Sequence, residues 1–227
     1  MKNKTYNALI IDDHPLISEA YKSAFKYVEQ QNKGVSFDIK VAHNCDTAYT
    51  ILKEHANLSM EIDIIFLDMR LPPSEDGTIL SGEDLGLKIK ELLPNSKIIV
   101  STTFNDNYKV HSIFRSLNPD GFLVKNDITP QELVTAIQEV LTDPPYYSKT
   151  IMKLLRNETL SDHVIDDLDR KILYELSIGT KMKNLPDVVP LSITAIERRK
   201  REIKKMFSIS SLDDRDLILT AREKGFI

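Results

Sequence analysis

A few polar residues stand where phosphoryl chemistry would need them. Asp12 and Asp13 follow the apolar run 8–11, and Asp68 closes the still more apolar run 62–68. Ser101 and Thr102 end another such run, and Lys125 directly follows the run 121–124. Short apolar runs bounded by polar residues read as buried strands. In an open parallel sheet, ligands bind beyond the carboxyl ends of the strands, which is where all these groups fall. Carboxylates gathered in one crevice repel one another unless a divalent cation sits among them. A carboxylate nucleophile, an acid pair for Mg²⁺, a hydroxyl donor and a lysine are the parts needed to accept a phosphoryl group. Each acid alone reads as a solvated loop residue; their recurrence at successive strand ends makes the pattern.

The elements that would position them follow from periodicity. Strands are expected over 7–12, 36–42, 62–68, 97–102 and 121–124, alternating with helical spacing over 15–28, 45–55, 82–93, 108–117 and 129–141. Pro15 suits a first helical turn, and Thr129-Pro130 reads as an N-cap followed by the first helical residue. Strand–helix alternation of this kind predicts an α/β doubly wound, five-stranded parallel sheet. Pro144 and Pro145 stop the fifth helix, so 142–162 is expected as a linker between a 5–141 domain and a 163–227 domain. From Ile165 onward only helical periodicity remains, which predicts a small all-α domain. The chain's 227 residues suit two modest domains.

Composition narrows the classes further. Hydrophobic residues at 41% and charged residues at 28% are ordinary globular values, and no apolar window reaches membrane-spanning length. The start Met1-Lys2-Asn3-Lys4 lacks a signal-peptide pattern, and a lone Cys45 forms neither an internal disulfide nor a metal cluster. The expectation is a cytoplasmic protein with no membrane partner.

A net charge of −4 exerts no global pull on nucleic acid, so DNA binding would need a local patch. One exists. Residues 192–206 carry six basic and two acidic side chains, within a 161–227 segment that holds 13 basic and 12 acidic. On a helical wheel Ile193, Ile196, Ile203 and Phe207 form one stripe, with Thr194, Arg198, Arg201 and Lys205 opposite. Asp166 is placed to cap a helix ending at Gly179, and Ser192 to cap the basic one. A solvated charged face is the ordinary account of such a run.

Asp12-Asp13-His14-Pro15, Phe66-Leu67-Asp68, Thr102 and Gly121-Phe122-Leu123-Val124-Lys125 resemble the receiver domain of two-component response regulators, over residues 5–141. The resemblance implies a flavodoxin-like strand order 2-1-3-4-5, with Asp68 as phosphoacceptor. It makes Asp12, Asp13, Asp68 and the backbone carbonyl of Arg70 the Mg²⁺ site. Thr102 becomes the switch hydroxyl, Phe122 the switch aromatic and Lys125 the phosphate-pairing cation. His14 reads as a polar residue opening a helix. One departure is a loop at 71–81 about six residues longer than the resemblance leads one to expect, either a surface insertion or a docking element beside the site.

The second half, from Ile165 through Leu173, Gly179, Leu185, Ser192, Ile196 and Ile203 to Phe226, is similar to the helix-turn-helix output domain of LuxR- and NarL-type regulators. The similarity implies that the basic helix reads double-stranded DNA. Glu197, Arg198 and Arg201 would read bases, with Thr194 also in the DNA-binding set; Lys204, Lys205 and Lys183 would face phosphates. Pro186 and Pro190 predict that the preceding helix is broken into short turns.

The resulting expectation is a response regulator and not an enzyme. A sensor histidine kinase or phosphotransfer protein would phosphorylate it, and it would regulate transcription as a homodimer promoted by phosphorylation. A rival reading keeps the receiver and gives 163–227 a protein partner instead of DNA. A phosphohydrolase is disfavoured because Arg70 stands two residues after Asp68, where such enzymes often carry a second acid. The apolar side chains of 15–28 span about half the helix, wider than the roughly 100° stripe that one-sided packing needs, so a dimer partner, the linker around Tyr146-Tyr147 or the fifth helix should cover the excess.

Overall fold

A computed structural model describes residues 4–103, 107–156, 165–207, 209–211 and 213–227. Its first part is a parallel sheet in the order β2-β1-β3-β4-β5-β6. The strands are β1 (Lys4–Ile11), β2 (Val35–Ala42), β3 (Ile64–Asp68), β4 (Lys97–Thr102), β5 (Gly121–Val124) and β6 (Tyr146–Tyr147). Every residue of β3 is buried, as a central strand with helices on both faces requires. The period-2 alternation of β1 divides the core. Ala8 and Ile10 point towards α1 (Pro15–Gln31) and α5 (Pro130–Thr142), while Leu9 and Ile11 point towards α2 (Cys45–Asn57), α3 (Gly82–Leu92) and α4 (Asn107–Leu117).

Local chemistry sets the helix starts. Asn44 accepts from the Thr47 amide to open α2, and Thr129 accepts from the Glu132 amide to open α5 behind Pro130. The α1 apolar excess is only partly covered by α5. Tyr21 and Phe25 are buried, but Leu16 is 85% and Tyr27 45% exposed. Between the two helices lies an apolar groove of about 630 Å³ bordered by Ala20, Tyr27, Ile128 and Pro130.

The sheet is wider than the five strands expected. Tyr146 and Tyr147 pair in parallel with Gly121 and Phe122, followed at once by α6 (Lys149–Arg156). Ile151 of α6 is fully buried in the same core as Phe122 and Val110. The proline pair ends α5 but does not free the chain from the receiver, because the strand edge beyond β5 supplies backbone partners. Residues 157–164 lie outside the described ones.

The second part is all-helical: α7 (Asp167–Ser177), α8 (Ile193–Met206) and α9 (Asp214–Glu223). Asp166 and Asp169 form a reciprocal capping box at α7, and Gly179 continues from its end with φ of +92°. Around Pro186 the chain forms only a 3₁₀ helix, Met182–Asp187, and Pro190 falls after its end. The core gathers Ile172, Leu173, Leu185, Ile196, Ile203 and Leu217. Ile193, expected on the buried stripe, is 41% exposed, because it occupies the first turn of α8 beyond the reach of the packed helices.

Candidate functional site

Parallel pairing of β1 with β3 aligns Ile11 with Leu67, which brings Asp12 and Asp68 side by side at the sheet's carboxyl edge. Both are buried, at 0% and 2% exposure. Lys125 follows β5, and its Nζ lies 2.7 Å from Asp12 Oδ2 and 2.7 Å from Asp68 Oδ2. The other Asp68 oxygen, Oδ1, accepts from the Arg70 amide at 3.0 Å. Burial pushes the Asp68 carboxyl up. Lys125 and the Arg70 amide oppose that shift without cancelling it, so Asp68 stays above its ordinary value. Thr102 is fully buried and lies one residue beyond Ser101, the β4 partner of Asp68. Phe122 is also fully buried, packed inward within the core.

One oxygen each from Asp12, Asp13 and Asp68, together with a ring nitrogen of His14, lie within 4.8 Å of one another. Asp12 Oδ2 and Asp13 Oδ1 are buried yet accept no hydrogen bond. Their contacts are ionic, to Lys125 and to His14 Nδ1 at 2.6 Å. Several carboxylate oxygens converging this closely at a partly buried edge suit a hard, oxygen-seeking cation, so the cluster fits a metal ion. Of Arg70, the amide is the atom the structure ties to the site; its carbonyl stands as an expectation.

Tyr21 joins the site although its spacing marks it only as an apolar member of α1. Its hydroxyl donates to Ser101 Oγ at 2.6 Å and its ring stacks on Phe66 with centroids 4.3 Å apart. Burial raises its pKa, so it serves as a neutral donor that fixes the residue before Thr102. His43 also approaches, with Nδ1 2.8 Å from the Asp12 carbonyl oxygen. No periodicity marks these partners, because each contact joins residues far apart in sequence, Tyr21 with Ser101 and His43 with Asp12.

The long loop is tied to itself. Asp76 accepts from Ser74 Oγ at 2.7 Å and from the Thr78 amide at 2.9 Å, while Leu71 and Ile79 are buried. It also leans on α2, where Cys45 Sγ donates to the Pro72 carbonyl at 3.2 Å. Burial pushes the Cys45 thiol up to about 12.

On α8, Thr194, Glu197, Arg198, Arg201 and Lys205 are all exposed, as is Lys183 before it. The other three cations of the run turn inward. Arg199 lies 2.8 Å from Asp166 and 2.9 Å from Asp169, and Lys200 lies 3.0 Å from Asp214. Lys204, expected at phosphates, instead donates to the Asp213 carbonyl at 2.9 Å and sits 3.2 Å from Asp214. The reason is geometric: Lys204 falls between the two faces of α8, where α9 begins within reach of its stem.

A family model described as the response regulator receiver domain matches residues 8–138. The oxygen regulatory protein NreC of Staphylococcus epidermidis is 23% identical over 216 residues, spanning 89% of this chain and 91% of NreC. RcsB from Salmonella enterica serovar Typhimurium, solved bound to promoter rprA with the phosphomimetic BeF3−, aligns at 18% identity with a TM-score of 0.62. That alignment covers 96% of this chain and 98% of RcsB. A LuxR-family two-component response regulator from Aurantimonas aligns at 22% identity and TM-score 0.52, over 67% of this chain and 96% of its own. At such identities the solved structures speak for the fold, a flavodoxin-like sheet followed by a helical domain. The receiver-domain match extends over more than half of the residues and contains every strand-end group of the acidic pocket, and on that ground this chain belongs to the response regulator receiver domain family.

Proposed function

We propose that this response regulator is phosphorylated on Asp68 and regulates transcription through its helical domain. The observation that carries the reading is the Asp68 carboxylate, held in a buried pocket between Lys125 and the Arg70 amide beside two further acids. In the transfer, an Asp68 oxygen attacks the phosphorus of a phosphohistidine on a sensor kinase or phosphotransfer protein. The P–N bond breaks, an acyl phosphate forms, and the imidazole leaves with a proton. Lys125 is placed to pair with the new negative charge, and Thr102 to donate to a phosphoryl oxygen. Asp12, Asp13, Asp68 and the Arg70 carbonyl would hold Mg²⁺, which neutralises charge on the transferring group when bound. The added charge draws Thr102 and Lys125 inward and lets Phe122 and the face around it rearrange.

The exposed face of α8 supports double-stranded DNA as the target, with Thr194, Glu197, Arg198 and Arg201 towards bases and Lys205 towards phosphate. NreC is named an oxygen regulatory protein, and RcsB has been solved on promoter DNA. A two-fold DNA site calls for a homodimer, for which the exposed α1–α5 groove offers a surface. A cytoplasmic location agrees with this role; among the described residues no helix is long and apolar enough to cross a membrane.

The test is labelling by a small phosphodonor with Mg²⁺. Asp68→Asn keeps the size and removes the nucleophilic charge, so label should vanish while the fold persists. Stable label on that variant, or label mapped to His14, would overturn the assignment. The protein-partner reading of the helical domain is separated by DNA affinity: strong salt dependence supports DNA, and its absence supports a protein.

A further inference from the structure

His14 occupies a helix cap without capping. It is the N-cap residue of α1, where a short polar side chain ordinarily accepts from a free amide of the first turn. Asn44 and Thr129 do this at α2 and α5, but His14 makes no side-chain cap. Its ring turns the other way. The His14 amide donates to Asp12 Oδ1 at 3.0 Å, which folds the chain back over the acids. Nδ1 then lies 2.6 Å from Asp13 Oδ1 and 3.4 Å from Asp12 Oδ1. A surface ion pair contributes little and an unfilled cap costs a helix more, so stability does not explain a ring held against the acids.

The two sides of the pocket differ chemically. On the inner side Lys125, 6% exposed, lies 2.7 Å from Oδ2 of both Asp12 and Asp68. That ammonium neutralises charge within the fold. On the outer side, oxygens of Asp12 and Asp13 gather around an imidazole nitrogen whose ring is 64% exposed. The ligands of one small divalent ion lie within about 4–5 Å of one another, twice a bond of roughly 2.0–2.5 Å. One atom from each of Asp12, Asp13, His14 and Asp68 meets that limit.

The donor set is therefore mixed, three oxygens and one nitrogen. Oxygen ligands alone suit Mg²⁺, whereas imidazole suits ions such as Zn²⁺, Ni²⁺ and Cu²⁺. Coordination through Nδ1 uses the tautomer with its hydrogen on Nε2, and the exposed ring can keep that hydrogen in water.

We propose that His14 is a metal ligand, and that through it the pocket takes a borderline first-row ion of the Zn²⁺ class in preference to Mg²⁺. The inference deepens the proposed function at its metal pocket and does not need Asp68 to be the phosphoacceptor. Such an ion competes with Mg²⁺ for the same carboxylates, so the free level of that ion becomes a second input to the pocket.

Metal binding to the full chain, measured without a phosphodonor, tests this. By calorimetry Zn²⁺ should bind at one site more tightly than Mg²⁺, and Mg²⁺ should compete with it. His14→Ala should weaken Zn²⁺ at least about tenfold and leave Mg²⁺ almost unchanged. His14→Gln, which keeps a polar side chain but no imidazole, should behave like His14→Ala. Pulsed electron paramagnetic resonance with one equivalent of Cu²⁺ should show imidazole nitrogen in the wild type, lost in His14→Ala and kept in His43→Ala. Unchanged Zn²⁺ affinity in folded His14→Ala, an equal loss of Mg²⁺, or a nitrogen signal that vanishes with His43 would each overturn the proposal. Failure of Asp68 to take phosphoryl label is a different result: it overturns the phosphoacceptor reading, and the Zn²⁺ comparison still decides the role of His14.

Discussion

The pocket around Asp68 and the cationic face of α8 both gather charges of one sign, and they are held by opposite means. In the pocket, Asp12 and Asp68 are almost wholly buried and share one ammonium, that of Lys125. The low dielectric strengthens every interaction there, so position is everything and salt matters little. On α8, Arg198, Arg201 and Lys205 stand in solvent, while Arg199, Lys200 and Lys204 are tied to Asp166, Asp169 and Asp214. The run of like charge is thus two populations, one that anchors the helix and one that faces outward. A buried site concentrates chemistry on a few atoms; an exposed face spreads recognition over several side chains.

The sharpest way to break this comparison is at Lys125. Lys125→Met should slow phosphodonor labelling of Asp68 by about 100-fold, in line with loss of one preorganised stabilising group, and raised salt should not alter the ratio. A salt-dependent loss would place Lys125 with the exposed charges.

Next come the two populations on α8. Arg198→Ala and Arg201→Ala should each weaken specific DNA binding by roughly 1–3 kcal/mol and leave thermal stability near wild type. Arg199→Ala should do the reverse and lower stability by about 1–3 kcal/mol, because it strips a partner from the buried Asp169. Equal binding losses for all three would erase the distinction between anchoring and outward cations.

A smaller effect is expected at Lys205. Lys205→Ala should weaken all DNA sequences alike and flatten the salt slope by about one unit. Lys204→Ala should leave that slope unchanged, since its ammonium is held by the start of α9.

The last effect is one of pH. Burial holds the Asp68 carboxyl above its ordinary value, so in the metal-free protein its ionised form is disfavoured by folding. A carboxyl raised in this way contributes stability below its unfolded pKa and loses it as pH rises through the folded pKa. Asp68→Asn should therefore be more stable than wild type at neutral pH, with the gap closing on acidification. Thermal melts in chelator across that range measure it; a gap that widens on acidification would contradict the burial account.

Much of the receiver was legible because its signals are local. A strand buried on both faces must be a continuous apolar run, and its first polar residue marks the carboxyl edge, so Asp12, Asp68 and Lys125 identify themselves in one dimension. The caps at Asp166 and Ser192 are legible for the same reason, as their hydrogen bonds close within three residues. Tyr146-Tyr147 was not, because two residues carry no period and only an open strand edge makes them a strand.

By itself the sequence determined the order of elements, the polar residues at the strand ends and the cationic stripe of α8, since each follows from spacing along the chain. Only the tertiary structure decided which cations remain outward, that Tyr21 holds Ser101, and that Glu83, Lys109 and Arg170 meet in one buried cluster. Those residues lie far apart in sequence, and nothing in their own neighbourhoods distinguishes a solvated charge from one whose partner arrives on another helix. Their pairing is fixed by the packing of whole helices, which rewards burial and demands that every charge taken inside find an opposite.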